Sequence, residues 1–180
     1  MTLSTDLLAS TVARFRDYRT LGERALAQCS DADLTRVIAP GSNSIAVIVK
    51  HLRGNMRSRW TDFLTTDGEK PDRDRDGEFE DDAAVDSAKV MRWWEEGWRV
   101  CLDSLSALQP DDLERIVTIR GEPHTVVDAV LRGLAHTSYH VGQVVLLAKA
   151  FRGEEWATLS IPRGGSAEYT RRTQEVQSRR

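Results

Sequence analysis

Apolar residues recur at intervals of three and four along most of the chain, which is the spacing of one face of an α-helix. Four segments have this pattern. They extend from about Ser4 to Gln28, from PGSNSIA to about Leu64, from about Asp82 to Leu108, and from Thr125 to about Phe151. Serines 42 and 44 offer N-caps for the second segment, and Thr125 suits the N-cap of the fourth. We therefore predict four long helices.

The short stretch RIVTIRGE, between the third and fourth segments, alternates β-branched and polar residues. It is too short to build a sheet, so it predicts a small hairpin or an extended connector. Long helices without a regular alternation of strands and helices indicate an all-α fold, an antiparallel up-and-down four-helix bundle. Residues 1–180 are enough for one hydrophobic core, and we predict a single domain.

A long charged segment, TTDGEKPDRDRDGEFEDD, occupies residues 65–82 between the second and third helices. The spacing of aspartates from Asp72 to Gly77 matches the opening of a calcium-binding loop. The twelfth position of such a loop requires a bidentate Glu, but here it is Ala83. This difference favours a solvated charged loop over a calcium site.

The C-terminal segment, residues 154–180, contains apolar residues that follow no helical period, among them Trp156, Leu159 and Ile161. We predict an irregular tail that either packs across the bundle or contacts a second subunit, with the final QSRR disordered. Because the bundle already closes its own core, the tail is the segment expected to mediate a homodimer.

Charge and composition narrow the class of function. The chain has 25 basic and 28 acidic residues, a net charge of −3, and the two signs are interspersed. Such a chain has no basic surface for nucleic acid, and no apolar run approaches the roughly 18 residues of a membrane span. Cys29 and Cys101 lie in apolar helical patterns and are interpreted as free buried thiols. We predict a cytoplasmic protein without nucleic-acid or membrane partners.

The stretch HTSYH places His136 and His140 four residues apart on one face of the fourth helix. Two imidazoles at this spacing can converge on one metal ion, although hydrogen bonds to other helices or to solvent would also satisfy them. A metal site needs a further ligand from another helix. His124 lies three turns away along the axis, whereas His51 lies midway along the second helix among apolar residues. His51 is therefore the better candidate.

Several sequence blocks resemble one known superfamily over nearly the whole chain. They are NSIAVIVKHLRGNMRSRWTDFLTTDGEKP from Asn43, IRGEPHTVVDA from Ile119, HTSYHVGQ from His136 and LSIPRG from Leu159. The sequence is similar to DinB-like proteins, which include YfiT-like metal-dependent hydrolases and thiol-dependent transferases. The charged loop has more aspartates than is expected of the family.

The resemblance implies a four-helix bundle, often dimeric, in which His51, His136 and His140 hold a divalent metal. Zinc, nickel, iron, manganese and cobalt all accept three imidazoles. Three neutral histidines leave coordination positions open, which is typical of a catalytic metal rather than a structural one. Asn55 and Gln143, on the same helix faces, are candidates to orient an imidazole from outside the ligand set.

Three functions are compatible with these residues. The first is a metal-dependent transferase or hydrolase that activates a low-molecular-weight thiol or water toward an unidentified small molecule. The second is a non-catalytic metal-binding or stress-response protein, and the third is a metal that only stabilises the bundle. Tyr139, His124 and Arg59 are weaker candidates for substrate or acid–base roles. No carboxylate lies within one turn of a ligand along either helix, so the sequence identifies no general base.

Overall fold

The computed structural model describes residues 2–82 and 84–178. Within these ranges the long helices are α1 (Leu3–Leu26), α3 (Ile45–Trp60), α4 (Ser87–Ala107) and α5 (Val126–Arg152), and the shorter ones are α2 (Asp31–Thr35) and α6 (Ser166–Ser178). Single turns of 3₁₀ helix lie in the connections. The bundle pairs α3 with α4 and α1 with α5, and further contacts join α3 to α5 and α1 to α4. The predicted all-α four-helix bundle is confirmed.

The core of the bundle is built around large aromatic side chains. Trp60, Trp94 and Trp98 are each 1% exposed, and Phe15 is fully buried. Phe15 meets Trp60 edge to face with ring centroids 6.1 Å apart, and Trp98 at 6.5 Å. Such pairs contribute about 0.5–1.5 kcal/mol beyond their buried area. These rings anchor three of the long helices to one another.

Two predicted helix boundaries differ from the structure. Helix α3 ends at Trp60 rather than near Leu64, because Thr61 is extended and Asp62 has a positive φ of 47°. Helix α4 begins at Ser87 rather than Asp82, since the carboxylate of Asp86 accepts a hydrogen bond from the Lys89 amide and caps the helix there. Ala83, which stands at the twelfth position of the calcium-loop pattern in place of Glu, lies outside the described residues.

The connector before α5 is a hairpin. Strand β1 (Ile116–Ile119) pairs antiparallel with β2 (Glu122–Thr125), and Arg120 and Gly121 form the turn. Both turn residues have positive φ, 56° and 78°, as a two-residue hairpin turn of the primed type requires. Thr125 then caps α5, as predicted.

The hairpin turn is held by a carboxylate from the charged loop. Asp67 accepts hydrogen bonds from the backbone N–H groups of Arg120 and Gly121, both at 2.8 Å, and from that of Glu69 at 2.7 Å. Burial opposes ionisation of Asp67, but these hydrogen bonds outweigh it and lower its pKa to about 2. The start of the loop is therefore attached to the hairpin rather than free in solvent.

Asp67→Asn is expected to lower the free energy of unfolding by about 1–2 kcal/mol at pH 7, because charge-assisted hydrogen bonds become neutral ones. The folded pKa lies below the unfolded value of about 3.9, so the contribution of Asp67 is complete above that value and is lost as pH falls toward 2. Urea unfolding at pH 7 and pH 2.5 measures both effects. The exposed neighbour Asp72→Asn is the control, and an equal loss in the two variants would contradict the prediction.

The tail is only partly irregular. Trp156 and Leu159 pack against the bundle, and Gln28, just after the end of α1, exchanges hydrogen bonds with the Ala157 backbone at 2.8 and 3.1 Å. Of the two predicted placements, this part of the tail therefore packs across its own bundle. The prediction of an irregular tail was wrong for Ser166–Ser178, which form helix α6 with every residue in it exposed. Its long polar side chains at i, i+3 and i+4, such as the Arg171–Glu175 pair, favour a helix although none of its residues is buried.

Candidate metal centre

Three histidines from two helices meet in the bundle. His51 comes from the middle of α3, and His136 and His140 lie on successive turns of α5. Their candidate ligand atoms lie within 4.8 Å of one another, and Nε2 of His51 is 3.1 Å from Nε2 of His136. The structure thus places together the three histidines that the sequence singled out.

The separation of one pair of these nitrogens fits a divalent metal. Two nitrogens bound at about 2.0–2.1 Å to a tetrahedral ion are about 3.3 Å apart, close to the separation of the His51 and His136 nitrogens. Without a metal, the same 3.1 Å distance permits one Nε2–H to donate to the other Nε2. For His136 to bind a metal through Nε2, a proton on that nitrogen would have to move to Nδ1, the other nitrogen of the neutral ring.

The outer nitrogens of two imidazoles have fixed partners. His51 Nδ1 lies 2.8 Å from Glu78 Oε2, and His140 Nδ1 lies 2.8 Å from Gln143 Oε1. Both partners accept, so each histidine donates from Nδ1 and leaves the Nε2 lone pair unprotonated. These contacts have the pattern of the outer hydrogen bonds that orient metal-binding histidines.

Glu78 is the residue that sequence reasoning missed. It lies in the charged loop, on the 3₁₀ turn Gly77–Phe79, and is 7% exposed. Arg73 donates to both of its carboxylate oxygens, at 2.8 and 2.9 Å. Burial raises the pKa of Glu78, but the hydrogen bonds from His51 and Arg73 more than offset this and leave it below the ordinary value. The expectation of a wholly solvated loop was therefore wrong at these positions.

Gly54 makes room for this carboxylate. A Cβ at position 54 would lie 2.0 Å from Glu78 Oε1, so any side chain there would displace the loop from α3. A glycine in the interior of a helix weakens it, and such a residue frequently marks a close approach. Gly54, one turn after His51, is the signal in the sequence from which a loop contact near His51 could have been inferred.

Burial sets the protonation of the cluster. Burial, followed by the neighbouring His140 and His51, lowers the pKa of His136 to about 3. Burial and His51 lower the pKa of His140 to about 4, although its hydrogen bond with Gln143 acts in the opposite direction. At neutral pH both imidazoles are uncharged, which is the form that binds a metal.

The remaining candidate residues divide into two groups. Asn55, Arg59 and Tyr139 line a cavity of about 350 Å³ next to the three imidazoles. Within the described residues, Asn55 forms no side-chain hydrogen bond to an imidazole, unlike Gln143. His124 is elsewhere, in strand β2 just before α5, where its Nδ1 lies 2.6 Å from Asp128 Oδ2.

The fold and the histidine cluster define a DinB-like helical bundle, an arrangement compatible with a metal-binding protein. The chain belongs to the family described as "Protein of unknown function (DUF1572)", which it matches over residues 2–165. A solved DinB-like protein from Bacillus cereus ATCC 10987 has a similar fold, with a TM-score of 0.56 and 18% identity, covering 74% of this chain and 85% of that one. No curated protein matches the sequence.

Among the helices of residues 2–82 and 84–178, none is both long enough and apolar enough to cross a bilayer.

Proposed function

We propose that the chain binds a divalent metal through His51, His136 and His140 and is a metal-dependent enzyme. The observation that supports this most directly is the pair of outer hydrogen bonds, Glu78 to His51 and Gln143 to His140. Each leaves an Nε2 lone pair facing the other imidazoles. A set of buried lone pairs in contact is unfavourable unless a cation or a proton lies between them.

When bound, the metal would act as a Lewis acid that activates a low-molecular-weight thiol or a water molecule. The protein's own residues would prepare that chemistry. Glu78 would keep the His51 ring in one orientation, and its negative charge would raise the basicity of that imidazole. The cavity beside the cluster would admit a small molecule. A carboxylate bonded to the outer nitrogen of a ligand is a positioning group, so Glu78 is not assigned as a general base.

Two alternatives compete with the enzyme. The metal could stabilise the fold, or the protein could bind it without turnover. The cavity of about 350 Å³ that the histidines line favours a role toward a second molecule over pure stabilisation, since structural metal sites are closed. The large aromatic core is a further argument against a metal that is needed for folding.

The proposal is tested by elemental analysis of protein purified without an affinity tag, followed by turnover assays of the metal-loaded protein. The assays would cover thiols paired with small electrophiles, and ester and amide substrates. We expect about one divalent ion per chain and metal-dependent turnover of one class. Stoichiometric metal without turnover across the panel would favour the non-catalytic alternative, and absence of metal under all loading conditions would refute the site.

A homodimer is also proposed, with helix α6 as the contact. Tyr169 and Val176 lie two turns apart on α6 and are 55% and 56% exposed, so together they offer a small apolar stripe to a partner.

Light scattering should show a dimer for the full chain and a monomer for a chain that ends at Gly165. Val176→Asp should have the same effect as the truncation, because a buried unpaired charge opposes association. Gln174→Asp, on a different face of the helix, is the matched control. A truncated chain that remains dimeric would exclude α6 as the contact.

A further inference from the structure

The cavity beside the histidine cluster is rich in positive charge. Among the twelve described residues that line it, none is acidic and five are arginines, namely Arg59, Arg73, Arg75, Arg120 and Arg132. Arginine is the side chain best suited to planar, two-pronged contact with carboxylate or phosphate groups. The wall of the cavity therefore has positive charge that only residues outside the wall, or a bound anion, can neutralise.

Part of this charge is neutralised by the charged loop. Arg73 pairs with Glu78 at 2.8 Å and with Glu69 at 3.2 Å, and Arg120 shares Glu69 at 3.2 Å. Arg75 is 3.8 Å from the fully exposed Asp76. These carboxylates are fewer than the guanidinium groups, and the described residues include no acidic partner within 4.0 Å of Arg59 or Arg132.

Arg59 is the least satisfied of these groups. Its Nη1 is buried and has no hydrogen-bond partner among the described residues. Burial, followed by repulsion from Arg132, lowers its pKa to about 10, although Glu69 acts in the opposite direction. A buried guanidinium nitrogen without an acceptor is costly, so Arg59 would be stabilised by an acceptor that reaches it.

Arg120 is fixed at the rim of the same cavity by an unusual backbone conformation. It has a φ of 56°, which a non-glycine residue rarely adopts, and Asp67 holds it there through the backbone amide at 2.8 Å. Strained conformations of this kind persist where the surrounding structure enforces them, frequently at binding sites. The arrangement orients a further cationic side chain toward the cavity.

We propose that this cavity binds the anionic group, a phosphate or a carboxylate, of the small molecule on which the metal centre acts. Arg59 and Arg132 are its principal partners, and Arg120 contributes charge at the rim. The inference rests on the proposed function, because it names the substrate class of the same site. Binding of the anion, however, depends on the arginines and not on the metal, so the two can be tested separately.

The test is calorimetric titration at low salt of metal-free and zinc-loaded protein with phenyl phosphate and with benzoate. Benzyl alcohol serves as the neutral probe. We expect one of the two anions to bind both forms of the protein and benzyl alcohol to bind neither. Arg59→Gln and Arg132→Gln should each lower the affinity for that anion about tenfold or more, as expected for loss of a hydrogen bond to a charged group. Arg99→Gln, on the exposed face of α4, should leave the affinity within twofold.

The outcomes separate the two proposals. The anion that binds identifies phosphate or carboxylate as the group recognised. Arg132 is exposed, so Arg132→Gln tests the inference even if Arg59→Gln fails to fold. Anion binding to the zinc-loaded form alone, unchanged in both arginine variants, would place the ligand on the metal and overturn the inference. No binding of either anion would also overturn it, whether or not zinc binds. Anion binding to a protein that takes up no metal would refute the metal centre and support the anion site.

Discussion

His140→Ala is expected to abolish specific binding of a divalent metal. The substitution removes one of the three imidazoles, and the two that remain cannot form a closed or a catalytic site. We expect the affinity for the metal to fall by more than about 100-fold. Loss of a residue that only supports a ligand costs up to about that much, and loss of a ligand itself should cost more. Zinc titration against a chromophoric chelator measures this loss.

His124→Ala is the matched control, because His124 lies outside the cluster and pairs with Asp128. It should bind zinc as the unchanged chain does. Metal-free His140→Ala and the metal-free unchanged protein should both melt cooperatively, since the core of Trp60, Trp94 and Trp98 does not depend on the histidines. Unfolding on metal removal would support the stabilising role instead. Undiminished zinc affinity in His140→Ala would refute the proposed ligand set.

Glu78→Gln is expected to weaken metal binding by about 10–100-fold without removing a ligand. The amide retains an acceptor for the His51 Nδ1–H but loses the negative charge that raises the basicity of the ring. It also leaves Arg73, whose side chain is 5% exposed, with Glu69 as its remaining acidic partner. A loss of roughly 1–3 kcal/mol in the free energy of unfolding should accompany the change.

Two further variants distinguish this effect from a general effect of charge. Glu80→Gln removes an exposed carboxylate from the same loop and should leave metal affinity unchanged. Gly54→Ala adds a methyl group where Glu78 Oε1 lies, and it should weaken metal binding by displacing the loop. If Gly54→Ala and Glu78→Gln bind zinc as tightly as the unchanged chain, Glu78 has no role in holding the ligand.

The helices could be predicted because their information is local. The three- and four-residue periodicity of apolar positions and the caps at Ser44 and Thr125 lie within each segment, and the structure has both. The helix ends that differ from the prediction depend on the backbone conformation of single residues, such as Asp62 with its positive φ. That conformation cannot be read from the sequence. Helix α6 was missed because it has no buried residue and therefore no apolar period to reveal it.

Only part of the site could be predicted, because only part of it is specified by residues that are close together in the sequence. The spacing of His136 and His140 is visible along the chain, and His51 was the better placed of the remaining histidines. The contact of Glu78 with His51 spans 27 residues and depends on how an irregular loop folds back onto α3. Loop carboxylates lack a period that would identify one of them, and the aspartate-rich surroundings directed attention to calcium. The excess of arginine in the cavity likewise arises from α3, α5, the loop and the hairpin together.

The charged loop touches the hairpin through Asp67 and the candidate ligand His51 through Glu78, so its two ends are fixed by different parts of the structure. The number of residues between Asp67 and Glu78 is therefore constrained, whereas surface loops normally tolerate insertions. Peptide tags, fluorescent reporters or permuted chain ends placed between Asp67 and Glu78 should misalign both contacts. The connection between α2 and α3, which touches neither group, is the better position for such an insertion.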